Sequence, residues 1–383
     1  MVEPTKIVLI SPIGSSERNP RSIRINNIYH CLKSECEIIW LHETKVQSKR
    51  SDPKIFKFLQ SNKAFRTTLA FFKLFVFPDR FVIQNLFLML KIWNNYRNQS
   101  CVFISFSPPF STHWLFYFIK KQMPKAIWIT DIGDPFHQNP SNRFYNFLEK
   151  TAFSLENKIL QSVNKIVVNS LSIKDLFIQK YKIQPDKISI IYNGPSIDFK
   201  NIASIQSDEI IFLYAGNSYT PIREGIQETQ IVLDIIHQLK KLNYVAKFIL
   251  IGRQHESLQR KFKAHKEIIF INHSSEKDLI HWYQKTSFLV NLANLNYPGV
   301  PSKLSEYRAT GLPILCFEYD NNIAIKTYLE NYTKIYHIQI TEPRVEYLLD
   351  FILKNKDANI EPNMDEIETI KKKWISLINT IIK

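Results

Sequence analysis

Glycine is scarce in this chain, with eight residues in 383, and the first apolar run is followed by Gly14 alone. A Gly-x-Gly-x-x-Gly turn, whose glycines let the backbone approach a pyrophosphate, is therefore missing, and with it the nicotinamide and flavin fingerprint. Collagenous and Gly-rich low-complexity classes are excluded by the same count. Cysteine is scarcer still: Cys31, Cys36, Cys101 and Cys316 form no Cys-x-x-Cys pair. They are too few for a disulfide framework, and reduced core thiols in a cytoplasmic protein are the reading we expect. Gly-x-x-x-x-Gly-Lys-Ser/Thr, His-Glu-x-x-His and Gly-x-Ser-x-Gly are also absent, which removes P-loop, zincin and serine-hydrolase signatures. Long apolar runs are lacking too. The greasiest region, Leu69 to Trp93, is broken by Lys73, Pro78, Asp79, Arg80 and Lys91, and its longest uncharged stretch, Phe81 to Leu90, is half of a membrane span. The N-terminal run Lys6 to Ile10 is too short for a signal sequence, so no targeting segment is expected. Acidic residues fall short of basic ones, 35 against 50, leaving a net charge of +15. Such an excess asks for an anionic partner: nucleic acid, a membrane surface or a phosphorylated substrate.

What is present is alternation. Strand-length β-branched runs at Lys6–Ile10, Glu37–Trp40, Val102–Phe106, Ala126–Thr130, Lys165–Asn169 and Ile188–Tyr192 are separated by helix-length segments, among them Ser111–Gln122, Asn142–Ser162 and Ser172–Tyr181. Continuous apolar strands between helices predict a parallel sheet covered on both faces. After Asn193-Gly194-Pro195 the series restarts, with strands at Ile210–Ala215, Lys247–Gly252, Ile268–Ile271, Phe288–Leu292 and Ile314–Phe317. The sequence thus predicts an α/β protein with a domain over 1–195, a linker over 196–208, and a second domain over 209–363. A C-terminal helix over 364–383 has the option of packing back on the first domain. Two doubly wound units place ligands at the carboxyl ends of strands, in a cleft between the domains.

The most informative stretch runs from Tyr297 to Leu315. Ser302 can N-cap a helix that ends at Thr310, Gly311 can take the left-handed position after it, and Pro313 prevents continuation. Lys303 then stands at the positive end of a helix dipole, unfavourable unless an anion is bound there. A diphosphate would satisfy it, and Glu306 one turn on can accept from sugar hydroxyls. On spacing alone, an ordinary capped helix with a solvated lysine fits equally well.

"VPSKLSEYRATGLPIL" resembles the Pro-x-Lys-x-x-Glu-Tyr-x-Ala-x-Gly-x-Pro motif of family 4 glycosyltransferases, nucleotide-sugar enzymes of the GT-B fold. "LFVFPDRF" (74–81), "SFSPPFSTHW" (105–114) and "WITDIGDPF" (128–136) are similar, in order, to segments of bacterial surface-polysaccharide members. "IIYNGPSID" (190–198) and "FLYAGNSYTPIR" (212–223) resemble two further family turns. The resemblance implies GT-B architecture, two doubly wound Rossmann-like domains facing a central cleft, and transfer with retention of configuration. It implies donor contacts at Asn217, Arg223, Ser302, Lys303 and Glu306, with Glu306 on the nucleotide ribose and Arg223 and Lys303 on the diphosphate. Asp131 and Asp134 fall in a loop that would face the donor sugar, as catalytic candidates beside Arg223; Asp134, before Pro135, can equally be an Asx-turn residue. No metal or cofactor is implied beyond the nucleotide-sugar donor itself. Three positions depart from the pattern. Pro298 stands where the family's first glutamate falls, an Arg-plus-Lys pair is reduced to Arg223, and Gly133 occupies a place where many relatives carry Arg or His. These departures motivate the alternative of a non-catalytic GT-B accessory protein. His113 and His137 are read as surface or turn histidines.

Residues 41–100 carry eleven Lys/Arg against three Asp/Glu, interleaved with ten Phe and Trp from Phe56 to Trp93. That mixture describes a segment lying on an anionic membrane interface. An ordinary surface over packed aromatics, or single-stranded nucleic acid, also fits the pattern. With the resemblance, the expected partners are a nucleotide sugar, a glycan or lipid-linked acceptor and the inner face of a bacterial cell membrane, and not nucleic acid.

Overall fold

The computed structural model describes residues 6–14, 19–41, 77–137, 139, 148–219, 223–272, 274–295, 299–319, 322–363 and 365–382. Pro298, residues 42–76 of the basic–aromatic segment and residues 142–147 of an expected helix lie outside them. The chain divides into two units, 1–192 with 369–383, and 193–368.

The first unit is built on β1 (Lys6–Ile10), β2 (Glu37–Leu41), β3 (Cys101–Ser107), β4 (Ile127–Ile132), β5 (Lys165–Val168) and β6 (Ile188–Ile190), all parallel in the order β2-β1-β3-β4-β5-β6. Every residue of β3 is buried, as a strand covered on both faces must be. Alternation along β1 shows why. Val8 and Ile10 pack with Leu88, Met89 and Phe103 on one face, while Ile7 and Leu9 pack with Ile25, Ile104 and Trp374 on the other. Its helices are α1 (Pro20–Leu32), α2 (Val82–Tyr96), α3 (Ser111–Lys120), α4 (Glu149–Ser162) and α5 (Leu171–Tyr181).

The second unit is built on β7 (Glu209–Ala215), β8 (Val245–Ile251), β9 (Ile268–Ile271), β10 (Phe288–Asn291), β11 (Ile314–Glu318) and β12 (Ile335–Gln339), again parallel. Its order β12-β11-β10-β7-β8-β9 reverses between β7 and β10. That reversal is a topological switch point, where loops diverge and leave a crevice. The helices are α6 (Ile226–Lys241), α7 (Glu256–Phe262), α8 (Glu276–Lys285), α9 (Lys303–Thr310), α10 (Ile323–Leu329) and α11 (Val345–Asn355). Residues 196–208 pack into this unit: Ile197 and Phe199 are buried, and Ile205 N–H donates to the Gln284 carbonyl at 2.7 Å. The last helix, α12 (Asp365–Ile382), belongs to the first unit from Thr369 onward, where Trp374 is fully buried against the β1 face.

Candidate functional site

In the second unit the chemistry gathers at the switch point. β7 ends at Ala215, and the loop after it returns on itself: Tyr219 and Arg223 exchange two backbone hydrogen bonds at 2.6 and 2.8 Å. The Arg223 guanidinium is thereby aimed between strands. Its Nε donates to Asn294 Oδ1 at 2.7 Å, just past β10, and its Nη1 donates to the Tyr214 hydroxyl at 3.1 Å. Tyr214 in turn donates to the Asn217 carbonyl at 2.9 Å. Burial raises the Tyr214 pKa against the opposing pull of Arg223, so the hydroxyl is a neutral relay. Asn217 Oδ1 accepts from Arg253 N–H at 2.9 Å, tying the loop after β7 to the loop after β8. Gly252 in that loop has φ +117°, and a side chain there would meet the Gly216 carbonyl. Asn217 and Arg223 are therefore brought to one end of one sheet.

α9 starts from the segment after β10. The expected Ser302 cap is corrected: Ser302 has helical φ −59° and ψ −26°, and its side chain makes no capping bond. The chain is already helical on entry, with Leu304 N–H donating to the Pro301 carbonyl at 3.0 Å, so the hydroxyl cannot reach back to the first-turn amides. Lys303 is likewise no solitary cation, because Nζ is 2.7 Å from Glu306 Oε2, a pair set by the i, i+3 spacing. Glu306, expected to have oxygens available for a sugar, is 4% exposed and surrounded by donors. The Ser196 hydroxyl donates to Oε1, and the Tyr283 hydroxyl donates to Oε2 at 3.0 Å. Burial first, then the Glu306 charge, pushes the Tyr283 pKa well up. A ligand that used either Glu306 oxygen would compete with these partners. Gly311, with φ +72°, ends α9 as the sequence predicts.

Sequence reasoning missed Tyr214, Asn294, Tyr283 and Ser196, since each acts through a neighbour distant in the chain. It also missed Glu228 in the first turn of α6. Glu228 is fully buried, accepts from Ala293 N–H at 3.2 Å through Oε1, and leaves Oε2 without a partner among the described residues. Burial raises its pKa. The residues on either side of one peptide are thus held at once, Ala293 by Glu228 and Asn294 by Arg223.

In the first unit the expectation for Asp131 is corrected. It lies in strand β4, not in a loop, and is fully buried. Arg24 of α1 grips both its oxygens through Nε at 2.8 and 2.9 Å, and also binds the Ile191 and Tyr192 carbonyls. A buried carboxylate gripped on both oxygens by a guanidinium is a structural anchor. Arg21 Nη1 lies 3.5 Å from the same carboxylate. A side chain on Gly133 would meet Arg21 Nη2 at 2.3 Å, so the glycine is where the Arg21 guanidinium fits. A cation thus occupies the place of Gly133, delivered from α1. Asp134 is half-buried on the turn before Pro135, and that turn is held by Glu156 of α4, which accepts from Phe136 N–H at 2.7 Å and His137 N–H at 3.0 Å.

Two matched segments meet here as well. Asp79 accepts from Ser111 N–H at 2.7 Å and from the Ser111 hydroxyl at 2.6 Å, joining 74–81 to 105–114. His113 is corrected from a surface or turn residue to a fully buried one. Trp128 Nε1 donates to Ser105 Oγ at 2.8 Å, which leaves that hydroxyl to donate to His113 Nδ1 at 2.7 Å. Burial lowers the His113 pKa to about 3, so the ring is neutral. One further cluster, Cys316, Glu318 and His337, joins β11 to β12, with Glu318 Oε1 and His337 Nδ1 2.6 Å apart.

Two Rossmann-like units, one with its charged loops at a β7/β10 switch point, define the GT-B class. Residues 61–199, within the first unit and the start of the second, match the model of Glycosyltransferase Family 4. Among solved structures, a glycosyltransferase from Rickettsia africae is 14% identical with a TM-score of 0.58, covering 100% of this chain and 99% of its own. Sucrose-phosphate synthase from Thermosynechococcus elongatus is 14% identical with a TM-score of 0.56, covering 98% and 94%. UDP-GlcNAc 2-epimerase from Neisseria meningitidis, bound to UDP-GlcNAc, is 11% identical with a TM-score of 0.54, covering 99% and 99%. At these identities the likeness speaks for the fold. No curated protein matches the chain.

Proposed function

We propose that this protein is a family 4 glycosyltransferase that takes its sugar from a nucleotide-sugar donor whose diphosphate lies at the switch point of the second unit. The observation that carries the reading is Arg223, fixed between Tyr214 and Asn294 at the carboxyl ends of β7 and β10. Leaving-group departure in glycosyl transfer puts charge on a diphosphate, and a pre-positioned guanidinium stabilises that charge without reorganising. Lys303 adds a second cation at the start of α9, exchanging its Glu306 partner for phosphate when donor enters. Asn217 holds the loop shape, and Glu306 has the placement for hydroxyl recognition once Lys303 moves. The helix start at 302 supplies backbone N–H groups to the same anion.

The acceptor we assign is a glycan or lipid-linked glycan of bacterial surface-polysaccharide assembly, with retention of anomeric configuration; the order of the matched motifs supports this. Retention needs no strong general base, in keeping with Asp131 being held by Arg24. Among the described residues, Arg21 and Asp134 are polar groups that the first unit offers beside Gly133. No step in the reading calls for a metal. The test is a thermal-shift screen with UDP-, GDP- and dTDP-sugars. One donor should raise the melting temperature of the wild type and lose most of that effect in Arg223→Ala. Uniform absence of a shift would contradict the donor assignment.

A further inference from the structure

The first unit carries an apolar stripe that its own core does not use. Helix α2 buries Asn85, Leu88, Met89, Ile92 and Tyr96. On its other side Ile83, Leu86, Phe87 and Leu90 stand 64%, 47%, 61% and 51% exposed. Their spacing, i, i+3, i+4 and i+7, places them in one line along the helix. α3 packs beside α2 and adds Phe118, 48% exposed. Scattered exposed leucines need no explanation, but a continuous stripe of five large side chains does.

Charge says what kind of partner fits. From Arg80 to Thr130 the chain has six Lys/Arg and no Asp/Glu. Arg80, Lys91, Arg97, Lys121 and Lys125 of that set are exposed. Three cations lie over aromatic rings of the same two-helix layer: Arg80 over Phe81 at 5.0 Å, Arg97 over Trp93 at 5.7 Å and Lys121 over Tyr117 at 4.6 Å. The preceding acid, Asp79, is turned inward onto Ser111. An apolar line on a stretch of chain whose only charges are cations matches a surface with acyl chains below and negative headgroups above. Glu149 of the neighbouring α4 is the exposed acid on the far side of α3. A second copy of this chain fits poorly, since it would set cation against cation.

We propose that the α2–α3 face, with Ile83, Leu86, Phe87, Leu90 and Phe118 at its centre, docks the protein on an anionic lipid bilayer. The helix lies in the interface plane; among the described residues no helix is long and apolar enough to cross a membrane. This inference stands on the first unit alone and does not depend on the donor assignment.

The test is co-sedimentation of the full chain with vesicles of phosphatidylcholine alone and of phosphatidylcholine mixed with phosphatidylglycerol. The wild type should partition onto the mixed vesicles and be released by salt. A Phe87→Ser/Leu90→Ser double variant, altered only at exposed positions, should lose roughly tenfold or more of that partitioning while melting at the same temperature. Lys91→Gln should weaken binding to mixed vesicles only. Equal binding to both vesicle types, binding to neither, or unchanged binding by the double variant would overturn the proposal. So would a concentration-dependent dimer that the double variant abolishes, which gives the stripe to a second copy. Amide protection of residues 83–90 in the lipid-free monomer beyond that of a solvated helix face would instead assign the stripe an internal cover.

Discussion

Arg223 Nε meets Asn294 Oδ1 at 2.7 Å, joining the loop after β7 to the segment after β10 across the point where strand order reverses. The bond holds a guanidinium where a parallel sheet presents its crevice, and Tyr214 fixes the remaining rotation. Truncating Arg223 to Ala should lower turnover by about 10²–10³. Asn294→Ala leaves the charge but frees its orientation, so its loss should be smaller and should appear in kcat more than in KM. Steady-state kinetics on the true substrate pair separate the two.

Lys303 and Glu306, though paired, yield stability predictions of different size. Glu306→Ala removes the acceptor of the buried Tyr283 hydroxyl, leaving it unsatisfied at a cost of about 1–3 kcal/mol. Lys303→Ala removes a partner that is 29% exposed, and should cost well under 1 kcal/mol while reducing donor affinity. Urea unfolding beside calorimetric donor titration measures both.

The Arg24–Asp131 pair is buried on both sides, 3% and 0% exposed. Arg24→Ala strands a carboxylate in the sheet and should destabilise by about 3–5 kcal/mol. If Asp131→Asn folds and keeps most of its turnover, Asp131 is confirmed as an anchor; a loss of activity near that of Arg223→Ala, with stability intact, would give it a chemical role.

Gly133→Ala tests the Arg21 placement. A methyl there displaces the end of a flexible guanidinium, so the melting temperature should hold within a few degrees. Activity should fall to the level of Arg21→Ala, and the two substitutions together should cost little more than either. Additive losses in a double-mutant cycle would separate the residues.

Glu366 supplies a pH signature. It is 8% exposed, accepts from the Tyr328 hydroxyl, and burial raises its pKa from 4.5 to about 7. The folded state therefore holds a proton that the unfolded chain releases from about pH 4.5 upward. The stabilisation is fully present below that pH and is lost as pH rises through about 7. Glu366→Gln should flatten this dependence and raise stability at pH 8 by about 2–3 kcal/mol. Chemical denaturation between pH 4 and pH 8 is the measurement.

Where residues declare themselves locally, the sequence was readable. β3 reads as a strand because seven consecutive buried residues need no partner to be recognised. Gly311 reads as a helix end because only its own φ is involved. α1 is hard to read from sequence, although Asn19 caps it and Pro20 starts it, because Arg21, Arg24, Asn26 and Asn27 dilute its apolar face. β12 was missed for the same reason, its five residues being mostly half-buried. At the site, Arg223, Lys303 and Glu306 were legible as types in a pattern. Their partners were not, because Tyr214, Asn294, Tyr283 and Ser196 reach them only through the fold. Asp131 misled most: a carboxylate near a strand end looks reactive until Arg24, 107 residues away, is seen on both its oxygens.

In the proposed donor site, Arg223 of the second unit holds the sugar-nucleotide diphosphate. Calorimetric titration of wild type and Arg223→Ala with UDP, GDP and dTDP tests it most directly. One nucleotide should bind the wild type and bind the variant at least roughly tenfold more weakly, with the free variant melting lower by no more than a few degrees and still in one cooperative step. Wild-type affinity in the variant, or no binding of any of the three to the wild type, would contradict it.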